Sequence, residues 1–500
     1  MKKVLLYCLV LVFFIESLFA DSRFFTSPFV FGDNISGKIE NRESLSPDEI
    51  IEAAMIFSGE AVSGEIMTGV LGKFGDLKET LSSQKYKKND EAEKAERILL
   101  LMYDTLLKTY QEDKTTIGIL FEKGEYNCVS SAVLFLALGK SQGLDVRGQK
   151  TTEHAFCKLY KNDDGKIDSY IVETTNPYGF NPGTQKKVEE TGNYLKYIYV
   201  PKINYSGQRE VNDLYLCSLI ASNLCSLAMK RDDYERAIPL AYGLMLLRDY
   251  FEEEDIKEVE SLFSGACNNY IFYLQSRNRY EESLDFINEL NLRNEIPELD
   301  MLKKSLENAL ENYFYEKIRG KDFDGAGILL KIKNRFISDT LINKMEKEWW
   351  IYKIQEDMKP VTENNCPTDT LDERLSYLSE LQDRLAAELP AKEINMKITE
   401  WKKYIWQKKI INSARNKDFS SALNMIEVAC KDVGESSGLV ELRGQILRNY
   451  EAEAHNKFAV FFNSKNYEDA EKAIQDGLLL YPESKILKKD LELIEKTTKK

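Results

Sequence analysis

Tyr126-Asn127-Cys128-Val129-Ser130-Ser131-Ala132-Val133-Leu134-Phe135-Leu136-Ala137-Leu138 places a cysteine at the mouth of an almost wholly apolar helical segment. Free N–H groups and the macrodipole at a helix start favour a thiolate, so a thiol there reads as chemistry as well as packing. The helix is predicted from Cys128 to about Gln142, with Gly143 as its C-terminal stop. Working outward, His154 follows 26 residues later in Thr151-Thr152-Glu153-His154-Ala155-Phe156, one of two histidines in the chain. Glu173 follows in Tyr170-Ile171-Val172-Glu173-Thr174-Thr175-Asn176-Pro177.

Upstream the pattern is helical. Ser46-Pro47-Asp48-Glu49 is an N-cap, a proline at the first helical position and acids in the first turn, starting a helix to about Phe57. A second helix is expected over roughly 64 to 82. A third runs to about Tyr110 on the stripe Ala95, Ile98, Leu99, Met102 and Leu106. Beyond Gly143 the period changes to that of strands: Leu144 to Lys150, His154 to Tyr160 and Ile167 to Thr174. Asn162-Asp163-Asp164-Gly165 joins the last two as a hairpin. With the loop centred between Asp163 and Asp164, His154 stands opposite Glu173, about 5 Å apart at Cβ. Residues 176 to 205 read as a connector.

From about 211 onward the chain reads as helical, and one plan recurs: a polar turn, an aromatic, and a small residue three later. The aromatics are Tyr234, Tyr280, Phe323, Phe419 and Tyr467, the long gap being two periods with a degenerate copy near Leu371. Such turns join antiparallel helices into a helical-hairpin solenoid, with an irregular bundle as the alternative. His455, on one of these helices, reads as structural.

Met1-Lys2-Lys3, an apolar run from Val4 to Ile15, then Ser17 and Ala20 have the form of a secretory signal cleaved after Ala20, with an uncleaved anchor as the alternative. No other apolar run approaches membrane length, so no membrane span is expected in the mature chain. A net charge of −14 on mixed Lys/Glu surfaces argues against nucleic acid as a partner. There is no CxxC or Cys/His cluster, so neither a metal nor a cofactor is expected.

A cysteine nucleophile needs a base and a group that orients the base. Cys128 is the candidate nucleophile, His154 the base and acid, and Glu173 the orienting acid, with Asn176 as an alternative orienter. These segments resemble the nucleophile, histidine and acid segments of bacterial transglutaminase-like proteins of the papain-like superfamily. The last helical copy, Tyr467 to Pro482, resembles a tetratricopeptide repeat. The resemblance implies an α+β transglutaminase-like (papain-like) domain with an antiparallel sheet over 46–205, after a signal over 1–20 and a lead-in over 21–45. An all-α helical-hairpin solenoid would follow over 206–500. It also implies a thiol enzyme, peptidase, amidase or acyltransferase, acting through an acyl-thioester on protein or peptide; the N-terminal signal implies a periplasmic or secreted location, and the repeats offer a surface for a protein partner. The alternative is a non-catalytic protein-binding scaffold of the cell envelope.

Overall fold

A computed structural model describes residues 23–59, 64–83, 90–163, 165–191, 194–201, 205–385 and 392–498. The expected signal over 1–20 lies outside the described residues, as does Asp164 of the hairpin turn. The chain forms two compact units, one of residues up to Leu310 with Asn334–Ile337, the other of Glu311–Lys333 and Ser338–Lys500.

The fold class is a correction to the sequence reading. Among the described residues the protein is 69% helical and 8% strand, with 19 helices and small sheets, which does not fit an α+β transglutaminase-like domain. The physical reason is that helices, not the sheet, supply most of the apolar surface around the cysteine. In the first unit α1 (Asp33–Glu40), α2 (Pro47–Phe57), α3 (Gly64–Ser82) and α4 (Glu91–Thr105) come first. They are followed by β1 (Thr109–Tyr110), α5 (Ile117–Lys123), β2 (Glu125–Tyr126) and the cysteine helix α6 (Cys128–Ser141). Six strands come next: β3 (Asp145–Lys150), β4 (Ala155–Asp163), β5 (Lys166–Val172), β6 (Gln185–Thr191), β7 (Tyr194–Tyr199) and β8 (Arg209–Val211). Four more helices follow, α7 (Asp213–Met229), α8 (Tyr234–Leu246), α9 (Glu253–Ser276) and α10 (Tyr280–Asn291).

Every residue of α6 from Val129 to Gly139 is buried. Such a helix must be covered all round. Helices α2, α4 and α7 pack on it, and strands β3 and β4 close the remaining side. At about 1.5–3 kcal/mol for each large apolar side chain removed from water, this helix contributes strongly to the unit's core. Its ends are as the sequence dictates: Asn127 caps the start and Gly143, at φ +74°, turns the chain out of the helix. Ser46 makes the expected capping box with Glu49 at the start of α2.

The sheet order is β5-β4-β3-β8, all antiparallel. The β4–β5 register differs from the expected one by two residues. Asp163 faces Lys166 and Cys157 faces Val172, so the loop is centred beyond Asp164 and no cross-strand pair joins residues 154 and 173. A shift of two preserves which face each side chain points to.

The lead-in is more than a connector. It contains α1, and Phe24 and Phe25 are buried against Tyr242, Tyr270 and Phe286 of the later helices, with ring centroids 5.0–5.6 Å apart. Phe29 lies on Phe57 and over Gly243, where a Cβ would stand 2.6 Å from its ring.

The recurring turns share one backbone device. Asp232, Asn278, Lys321, Lys417 and Lys465, each two residues before the repeat aromatic, are left-handed with φ from +56° to +62°. The small residues Ala237, Ser283, Ala326, Ala422 and Ala470 are at most 1% exposed. Each left-handed residue costs on the order of 1 kcal/mol, offset by the two helices it lets meet. No such residue marks the neighbourhood of Leu371 among the described residues. Cys366 is buried. No helix among the described residues is long and apolar enough to cross a membrane.

Candidate active site

Asn127 is the residue that sets the thiol in place. Its side-chain Oδ1 accepts the N–H groups of Val129 (3.0 Å) and Ser130 (3.1 Å), and its amide donates to the Glu112 carbonyl at 3.1 Å. Two of the first N–H groups of the helix are thereby satisfied, while that of Cys128 has no acceptor among the described residues. The thiol is half-buried.

His154 lies in the tight turn between β3 and β4, where its carbonyl accepts the Thr151 N–H at 2.8 Å. Glu173 follows the end of β5 in a second turn, closed by its N–H to the Gly179 carbonyl at 2.9 Å. The turn is tight enough that a Cβ on Gly179 would stand 2.0 Å from the Glu173 carbonyl oxygen. The two side chains meet with His154 Nε2 2.7 Å from Glu173 Oε2. Although they are not opposite each other in the ladder, the long glutamate side chain spans the two-residue offset from the end of its strand. Nδ1 is then the ring nitrogen left for the thiol.

The carboxylate is 2% exposed and accepts four hydrogen bonds. Oε1 takes the Thr175 N–H (3.0 Å) and hydroxyl (2.5 Å), and Oε2 takes His154 and the Tyr205 hydroxyl (2.8 Å). Burial pushes the Glu173 carboxyl up, but the hydrogen bond and charge of His154 and the Thr175 donors outweigh it and hold it below its ordinary value. Burial likewise pulls the His154 imidazolium down. The nearby Cys128 and the hydrogen-bonded Glu173 carboxylate reverse this and hold the ring up at about 10. The arrangement therefore favours an imidazolium held against the buried Glu173 carboxylate.

Beneath the site runs a chain of hydroxyls. Tyr126 donates to Tyr103 at 3.1 Å, Tyr103 donates to the Thr174 carbonyl at 2.9 Å, and Ser131 meets Thr174 at 2.9 Å. This chain ties α4, β2 and α6 to the segment bearing Glu173.

Cys128 and His154 line one cleft of about 250 Å³. Its other wall comes from α7 and α9, through Leu219, Asn223, Glu258 and Val259. Lys150 pairs there with Glu258, which also accepts from Tyr215 (2.9 Å) and Arg209 (3.0 Å). Lys150 and Arg209 thus share Glu258, which gives the cleft a polar wall. Burial also pushes the Tyr110 phenol up, to about 12, with the nearby Cys128 charge adding to it.

The structure thus brings Cys128, His154 and Glu173 together. Asn176 is elsewhere, its Oδ1 accepting the Tyr178 N–H at 2.9 Å in a turn. Sequence reasoning missed Thr175 and Tyr205, and the wall from α7 and α9. Thr175 had a local signal, since a hydroxyl two residues after a carboxylate commonly closes a turn onto it. Tyr205 had none. Among the described residues no group of three or more His, Cys, Asp or Glu side chains is placed to hold a metal ion. All seven cysteines among the described residues are free thiols, and Cys157, Cys217, Cys225 and Cys267 are buried, with burial raising each above the ordinary thiol value. Comparison with family models, with curated proteins and with solved structures finds no match to this chain.

Proposed function

We propose that the chain is an exported thiol enzyme that cleaves or transfers the acyl group of a peptide or carboxamide bond through an acyl-thioester on Cys128. The observation that carries this reading is the His154–Glu173 hydrogen bond of 2.7 Å in a cleft shared with the half-buried Cys128. The likeness of the three segments to transglutaminase-like thiol proteins supports the same chemistry. The charged start and apolar run at Met1 to Ile15 support export.

The steps follow from the residues. The Cys128 sulfur attacks the carbonyl carbon, a C–S bond forms, and the carbonyl π pair moves to oxygen. The Cys128 N–H, left without an acceptor at the helix start, is positioned for that oxyanion. Collapse breaks the C–N bond, and the His154 imidazolium gives its proton to the leaving nitrogen. Now neutral, His154 takes a proton from water or from an amine as that nucleophile attacks the thioester, and the thiolate leaves. Glu173 holds the ring throughout and does not exchange its proton. Water, at far higher concentration than any amine, makes hydrolysis the default outcome. Protein or peptide is the substrate class, and the helical hairpins serve as the surface for a protein partner.

Intact-mass analysis after incubation with peptide carboxamides tests this. An added mass equal to the acyl group, absent in Cys128→Ser and discharged by water or by an added primary amine, is the expected result. No adduct on wild type with any carboxamide or activated ester would refute the enzyme reading.

A further inference from the structure

Oε2 of Glu173 is shared. It accepts the imidazole N–H of His154 at 2.7 Å and the Tyr205 hydroxyl at 2.8 Å, in a carboxylate that is 2% exposed. Tyr205 is itself buried. Its ring stacks on Phe156 with centroids 4.2 Å apart and an interplanar angle of 29°, and lies nearly parallel to His154 at 6.4 Å and 13°. Phe156 follows His154 by two residues, near the start of β4, so one stack fixes the phenol, the strand and the imidazole together.

Two donors on one oxygen compete for its charge. Each hydrogen bond to a carboxylate withdraws some of the field the other donor feels, and burial means water cannot replace a lost one. We propose that Tyr205 is a positioning residue that divides Glu173 Oε2 with His154 and thereby limits how tightly the imidazole holds its proton. This deepens the proposed enzyme reading. A thiol enzyme needs His154 to surrender its proton to a leaving nitrogen, and an imidazolium bound to an unshared buried carboxylate would do so slowly. Burial and the Glu173 charge both hold the Tyr205 hydroxyl proton in place, so the phenol stays a donor over the whole working range. Thr175 cannot substitute for it, because both of its donors go to Oε1.

The chain has only two histidines, His154 and His455, which makes a direct test simple. Histidine-selective ¹⁵N NMR of the full chain, titrated from neutral to alkaline pH, follows both rings whether or not any substrate is known. Tyr205→Phe keeps the stacked ring and removes the hydroxyl. Its expected effect is an upward move of the His154 midpoint by about 0.3–1 pH unit, with His455 unmoved. Phe156→Leu, which loosens the stack but leaves the hydroxyl, is expected to lower the melting temperature without that shift. An unchanged or lowered His154 midpoint in Tyr205→Phe overturns the proposal, and so does an equal shift in Phe156→Leu. The titration stands apart from turnover, so a chain that forms no acyl adduct yet shows the shift would retire the enzyme reading and keep the role of Tyr205.

Discussion

The chain holds two histidine–carboxylate pairs of nearly equal length. His154 Nε2 is 2.7 Å from Glu173 Oε2, and His455 Nδ1 is 2.6 Å from Asp490 Oδ2. Their surroundings differ. Glu173 is 2% exposed with four hydrogen bonds, and its imidazole shares a cleft with a thiol at a helix start. The second pair bridges two helices, Ser437–Asn463 and Lys485–Thr498, with the imidazole side chain 44% exposed and no thiol or second donor beside it among the described residues. A close His–carboxylate distance is therefore not a site. What sets the first pair apart is a thiol in the same cleft and a buried carboxylate that accepts four hydrogen bonds.

The largest effect that separates the pairs is expected from Cys128→Ser, which should lower acyl transfer by at least ~10³-fold, whereas His455→Ala should leave it within about twofold. Steady-state turnover of any carboxamide substrate checks both. Glu173→Gln comes next. It keeps the shape but removes the charge that holds the imidazolium, so a rate loss of about 10²–10⁴-fold is expected, along with a fall of the His154 midpoint from about 10. Equal losses in Asp490→Asn would erase the contrast. Gly179→Ala forces the turn that carries Glu173 open, because the added Cβ meets backbone. A loss of roughly 10-fold in rate, with a destabilisation of about 1–3 kcal/mol by denaturant titration, is the expected outcome.

The pH dependence is smaller and has a definite sign. The His154 midpoint is raised above 6.5, so its contribution to stability is fully present below pH 6.5 and is lost as pH rises through about 10. Because the ring is partly solvent-screened, the contribution is on the order of 1 kcal/mol, a melting shift of ~2–4 °C between pH 6.5 and 10 that His154→Gln should lack. A wild type as flat as the variant over that range would show that the folded state does not favour the imidazolium. His455→Ala should cost the least, about 0.5–1 kcal/mol, as expected of a partly exposed hydrogen-bonded pair.

How far the sequence could be read varies along the chain. Helix starts were legible wherever a cap and a proline or acid coincide, as at Ser46-Pro47, and so was the stop at Gly143, because these are local chemistry. Cys128, His154 and Glu173 stood out for the same reason. The β4–β5 register came out two residues away because Asn162-Asp163-Asp164-Gly165 admits more than one loop centre. The fold class departs from the sequence pattern for a different reason: alternation over 144–174 marks real strands, but they form only a small sheet. The helices before and after it, together with the buried phenylalanines of the lead-in, carry most of the core. Tyr205 was illegible because it follows a segment without periodicity, and only the folded chain brings it to Glu173.

Whether His154 acts on Cys128 is tested most directly by the rate at which a peptide-directed thiol probe labels Cys128 at pH 7 in wild type and in His154→Ala. Labelling of Cys128 is expected to be rapid in wild type, at least ~10²-fold slower in His154→Ala, and unchanged in His455→Ala. Equal labelling rates in wild type and His154→Ala would contradict such a role for His154.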